Sequence, residues 1–271
     1  MDNNVVSAVT NRKICGSDTR RYSARFLLAR RGALSLSLAA VSRRRMGLLV
    51  VLGLALGLTR PLCKAEVDKK DSAEGLPEDY AKNYLVAQYT MSRDKKFAVI
   101  YPTLEFSESK DAKDFLVALE PFSILEALPT EDLYFQNRSN GGITAQWLED
   151  DSVALIKFES KWGPGDTFVV ELAGGKVTRT TNVIGKLTEL LLPKFRAVKP
   201  KKKPYNDHYP FIFEPGDDYE PCTLGSNKTV ELDLLVTNDP KSISDHPWRM
   251  RVTALWDVAA AKFTSVKESK K

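Results

Sequence analysis

Two histidines, three cysteines and one run of carboxylates are the side chains of this 271-residue chain that could carry out chemistry. With only His208 and His246 present, a zinc centre built on two or three imidazoles is disfavoured. Ser244-Asp245-His246 contains the residue types of a hydrolytic triad, but neighbours in sequence are not the arrangement that nucleophilic catalysis needs. Asp207, Glu214, Asp217, Asp218 and Glu220 could supply an acid and a base for hydrolysis, although runs of this kind are usually solvated loops. No C-x-x-C, G-x-S-x-G, Walker or G-x-G-x-x-G pattern occurs. The sequence therefore predicts no catalytic residue, no metal ligand set and no cofactor.

Binding is the remaining kind of chemistry. The most aromatic stretch is Tyr205 to Tyr219, which follows the Lys-Pro segment Lys199 to Pro204. If Asp207, His208 and Tyr209 border Trp162, aromatic faces and a few polar groups would line a groove fit for a sugar or an extended peptide. The plainer alternative makes Phe211 and Phe213 part of a strand packed on a sheet. Trp162-Gly163-Pro164-Gly165-Asp166 reads as a rigid turn, with the Trp folded back on that sheet.

These residues need elements to position them, and the clearest lie between Trp147 and Thr181. Val153 to Ile156 is a short apolar run after the polar turn Glu149 to Ser152, as a buried strand begins. Phe168, Val170 and Leu172 share one face of a second strand, and Ala173-Gly174-Gly175-Lys176 supplies the hairpin that returns at Val177. The unit has a second copy. Ser92 to Ile100 aligns with Leu148 to Ile156, and Phe115 to Leu119 aligns with Phe168 to Leu172.

Both copies resemble the TolB-type and WD-type β-propeller repeat over roughly residues 83 to 181. There an aspartate turn of the form S-P-D-G-K opens one strand, and a Gly-containing hairpin closes the next. Arg93 and Glu149 replace the Pro of that pattern, and Lys95 and Asp151 replace the Gly. The resemblance implies blade-like strands. Two copies followed by an unrelated C-terminal part cannot close a ring, which needs at least four blades.

The N-terminal 65 residues read as a targeting region. An Arg- and Ser-rich segment leads into the apolar run Met46 to Leu58, which has the length of a signal-peptide core and is too short for a spanning helix. Cys63 and Ala65 then offer small residues for cleavage. A twin-arginine signal at Ser42 to Met46, an organelle transit peptide, or a start nearer Met46 are alternative readings. Residues 1–65 hold ten Arg and two Lys against two Asp, which leaves 28 basic and 33 acidic side chains of the chain's 40 and 35. The net charge thus turns from +5 to about −5, and a nucleic-acid-binding face is disfavoured. Of Cys15, Cys63 and Cys222, only Cys222 remains, so no internal disulfide is expected.

Elsewhere, Glu66 to Asp79 reads as a disordered leader. Tyr84 to Tyr89 pairs with Phe97 to Tyr101, and Ile124 to Leu128 is a strand or a helical turn. Glu131-Asp132-Leu133-Tyr134-Phe135-Gln136 resembles the recognition site of a viral cysteine protease and is read as native sequence. Asn137-Arg138-Ser139 and Asn227-Lys228-Thr229 match the glycosylation sequon, which places them in exposed loops. Asn182 caps a helix carrying Val183, Ile184, Leu187, Leu190 and Leu191, stopped by Pro193. Val230, Leu232, Leu234 and Val236 alternate with mostly polar positions, as do Met250, Val252, Ala254 and Trp256. Phe263 to Val266 adds a final strand, and 267–271 is a tail.

The expected fold is therefore mainly β: antiparallel meander sheets of blade-like units in one domain over residues 80–266, with one covering helix and no closed propeller. The expected function is that of an exported, secreted or periplasmic, non-catalytic binding or interaction module. Its partner would be a protein, peptide or carbohydrate, not nucleic acid, and the mature chain would have no membrane span. A hydrolase using the carboxylates of 207–220 and a structural subunit of a cell-envelope assembly are the alternatives.

Overall fold

The computed structural model describes residues 71–138, 141–198, 210–216, 220–243, 245 and 247–270. After a short helix, α1 (Glu78–Ala81), the chain lays down three antiparallel sheets in succession. The first is a meander of β1 (Tyr84–Ala87), β2 (Phe97–Pro102), β3 (Phe115–Leu119) and β4 (Phe122–Ala127). The second repeats that order with β5 (Ile143–Trp147), β6 (Val153–Glu159), β7 (Pro164–Ala173) and β8 (Lys176–Asn182). Helix α2 (Val183–Val198) follows. The third sheet holds β9 (Ile212–Pro215), β10 (Cys222–Gly225), β11 (Thr229–Thr237), β12 (Arg249–Asp257) and β13 (Lys262–Lys270). β10 pairs with Thr229 to Leu232 of β11, and β9 with Leu234 to Thr237 on the same edge. Two short strands thus fill the place of one, and this sheet too is four strands wide. Among the described residues the sheets form neither a barrel nor a closed ring.

The three sheets open with one kind of turn. Lys95, Asp151 and Lys228 stand at φ 61°, 51° and 59°, a left-handed conformation that favours glycine. Each donates its amide to the residue three positions back, Ser92, Leu148 and Gly225. In the first two turns an aspartate one position earlier accepts from the chain ahead: Asp94 from the Lys96 amide at 3.0 Å and Asp150 from the Ser152 amide at 3.0 Å. In the third, Asn227 accepts instead from the Thr229 hydroxyl. The part after α2, expected to be unrelated to the first two units, therefore begins in the same way. The three turns touch in a row through Arg93–Glu149 and Lys228–Ser152.

Alternation along β6 explains how the sheets stack. Val153 and Leu155 enter a core shared with α2 and the third sheet, where they meet Leu187, Leu191, Leu232 and Trp256. Ala154, Ile156 and Phe158 point the other way, into a core with Val99, Tyr101 and Leu116 of the first sheet. A strand buried on both faces reads as the continuous apolar run seen at Val153 to Ile156. The outer side of the first sheet is covered by Leu76, Tyr80, Met91 and Phe106.

Four local expectations need correction, the first being the tail: residues 267–270 belong to β13 and pair with Met250 to Thr253 of β12, whose length carries the ladder past Val266. The charged leader is tied down from Asp71 onward: Asp71 accepts from the Gln88 amide (2.9 Å) and the Tyr101 hydroxyl (2.7 Å), and Ser72 bridges to Val86. Charge hid a segment that closes the sheet edge. Asn182 does cap α2, accepting from the Gly185 amide at 2.9 Å, but Pro193 does not stop it. The helix runs on to bury Phe195 against Phe211 and Trp248, packing that offsets the one lost hydrogen bond. Finally, Pro164 to Asp166 already belong to β7, so the turn is confined to Ser160 through Gly163.

Candidate functional site

Of the four residues expected to line a groove, the structure describes Trp162. It sits half-buried in the β6–β7 turn, with the Lys161 ammonium 5.0 Å from its ring centroid. The turn closes on itself through the Ser160 amide to the Gly163 carbonyl at 2.8 Å. Gly163 lies against β9, where a Cβ would come within 2.6 Å of the Phe213 carbonyl oxygen. The turn therefore abuts the aromatic segment. Asp207, His208 and Tyr209 themselves lie outside the described residues. Phe211 and Phe213 are core residues, at 4% and 7% exposure.

The acidic run is used structurally where it is described. Glu214 is on β9, and burial raises its carboxyl above the usual range while Arg249 opposes the rise. Glu220 is in contact with the Lys157 ammonium and accepts from the Gln146 amide group at 3.2 Å. Gln146 also accepts from the Leu224 amide at 2.7 Å, so one side chain joins the second sheet to the third. Lys157 is buried in that seam, and burial lowers its ammonium pKa while the Cys222 thiol and Glu159 oppose the fall. Burial likewise pushes the Cys222 thiol up to about 12, which leaves it a packing residue and not a nucleophile. Asp217 and Asp218 lie outside the described residues, as do Ser244 and His246.

The surface that stands apart is the outer face of the third sheet. Along β11, Val230, Leu232, Leu234 and Val236 are buried, so Glu231, Asp233 and Leu235 turn outward. Register then sets up rows across the strands. Thr223, Glu231, Leu255 and Ser265 form one, Asp233, Thr253 and Lys267 the next, and Glu214, Leu235, Arg251 and Ser269 a third. In these three rows the acidic groups come from β9 and β11 and the basic ones from β12 and β13. Arg251 bridges the two halves, its Nε donating to Asp233 Oδ1 at 2.8 Å. A shallow depression of about 380 Å³ lies among Glu220, Thr223, Glu231, Asp233, Thr253 and Lys267. The polar positions between the apolar residues of β11 and β12 are visible in the sequence. Their assembly into one face depends on strand pairing.

Among the described residues no group of three or more His, Cys, Asp or Glu is placed to hold a metal ion, and no helix is long and apolar enough to cross a membrane. The chain matches no protein family, no curated protein and no solved structure.

Proposed function

We propose that the chain is an exported, non-catalytic interaction module, built from three blade-like units, that holds a polypeptide partner on the outer face of its third sheet. One observation carries this reading: the first two sheets have both faces packed, whereas the third presents rows of charged and hydroxyl side chains around a shallow depression. Loops and exposed faces on a rigid scaffold are where recognition resides. Among the described residues the lining of the depression holds no aromatic side chain, which favours a polypeptide over a sugar. The division into an acidic and a basic half would fix the orientation of a partner more than it would add affinity.

The test is site-specific photocrosslinking in the native host, with a photoreactive residue at Thr253 and a control at exposed Tyr89. A defined adduct is expected at Thr253 and should be lost when Glu231→Lys and Lys267→Glu are combined. Equal adducts at both positions, or adducts insensitive to the charge reversal, would remove the basis for the proposal.

The structural-subunit reading has one observation in its favour. β13 is nine residues long and among the described residues pairs with β12 alone, an edge to which another strand could add. Light scattering of the purified chain separates the two, since edge-to-edge assembly predicts oligomers. Export itself is tested by mass spectrometry of protein from the native host. The expected N-terminus is near Glu66, and a polypeptide that retains residues 1–45 excludes export by this route.

A further inference from the structure

The segment that joins the first sheet to the second is held by two carboxylates, the buried Asp114 and the half-buried Asp166. Asp114, just before β3, is 1% exposed. Its Oδ2 accepts from the Thr130 hydroxyl at 3.2 Å and the Tyr134 amide at 3.0 Å, and its backbone carbonyl accepts from the Leu128 amide at 2.8 Å. Asp166 of β7 accepts from the Glu131 amide at 2.7 Å and from the Asn182 side chain at 2.6 Å. The segment is further fixed by the Gln136 amide on the Pro102 carbonyl (3.1 Å) and by Tyr134 edge-on to Tyr101, centroids 5.1 Å apart.

The two acids differ in one respect. Both Asp166 oxygens are bonded, whereas Asp114 Oδ1 is buried without a hydrogen-bond partner among the described residues. A buried polar atom in this state is costly, and far more so when charged. The charged or titratable groups around Asp114 are Arg138 and Asp166, together with the phenols of Tyr84 and Tyr134. Arg138 spends its guanidinium on the Leu133 carbonyl at 2.8 Å and on Asp132. Asp166 repels a second negative charge.

We propose that residues 129–138 form a proton-operated latch, clamped onto Asp114 while its carboxyl is neutral and loosened when that carboxyl ionises and needs water at Oδ1. The neutral acid places its proton on the oxygen that lacks a donor and keeps the acceptor used by Thr130 and Tyr134. The carboxylate strengthens those two bonds but leaves half its charge dry.

Burial, the largest cause, raises the Asp114 carboxyl to about 7 in the closed form. In an opened, hydrated loop it would return to about 4. The sign follows: the closed form binds more protons than the open one between these values, so closure weakens as pH rises through that window. Opening should increase roughly tenfold per pH unit from about 4 to about 7 and level off above it.

Hydrogen exchange of the full chain, followed by mass spectrometry from pH 5 to 8 and corrected for intrinsic exchange rates, tests this. Protection of peptides within 129–138 should fall roughly tenfold per unit up to about pH 7, while Asp114→Asn, neutral throughout, should give a flat profile. Asp166→Asn should keep the pH slope. Should Asp114→Asn fail to fold, the carboxyl carbon of Asp114 in the unaltered chain can be titrated by NMR. A midpoint near 4, a flat corrected profile in the unaltered chain, or the same slope in Asp114→Asn would overturn the latch.

Discussion

Replacing Phe168 by Ala measures how far the first two sheets depend on their shared core. Phe168 is fully buried on β7, edge-on to Phe158 at 5.9 Å, and belongs to the cluster that includes Val99, Tyr101 and Leu116 across the interface. Burial of an aromatic side chain removes about 150–250 Å² from water, worth roughly 4–6 kcal/mol at about 25 cal/mol/Å². Alanine retains a small part of that, and the flanking strands cannot close the gap, because each is pinned by its ladder. The expected cost is about 3–5 kcal/mol. In urea, with a slope of about 2 kcal/mol/M, the midpoint should drop by roughly 1.5–2.5 M with the slope unchanged. Leu190→Ala on α2 is the control, since that side chain is 48% exposed and its loss should cost about 0.5 kcal/mol or less. Equal small shifts for the two variants would refute the assignment of this cluster as a load-carrying core.

Three further outcomes follow from particular contacts. Gly163→Ala should lower stability by about 1–3 kcal/mol, because its Cβ would meet the Phe213 carbonyl oxygen at 2.6 Å in a backbone with φ 155°; thermal unfolding of the variant checks this. Glu220→Gln removes the counter-charge of a buried ammonium and should cost about 1–3 kcal/mol, discounted because Glu220 is half-exposed. Lys157→Met fills the same seam, releases Glu220 to solvent and should cost less in the same urea titration; the reverse order would disprove the desolvation argument. Cys222 should resist a disulfide thiol reagent in the native protein at pH 8 and react at once in denaturant, since the thiol is buried and its pKa is pushed up to about 12.

What the sequence by itself determined is local. The apolar run Val153 to Ile156 and the Phe168–Leu172 alternation specify β6 and β7, because side-chain periodicity is a property of a few successive residues. Gly174 and Gly175, at φ 58° and 74°, mark the hairpin between β7 and β8, and Asn182 marks the start of α2. The pattern in β11 and β12 told which side chains face the core. Lys95, Asp151 and Lys228 share one backbone conformation, but Asn227 stands where the first two turns have Asp94 and Asp150, so the third turn was not legible from the first two. Tertiary structure decided the rest, because burial arises between segments distant in sequence. Phe195 carries α2 past a proline through its contacts with Phe211 and Trp248. β9 and β10 exist as strands because β11 offers them one edge. Asp114 looks like any loop aspartate in the sequence; only the return of residues 128–134 over it takes its carboxyl out of water.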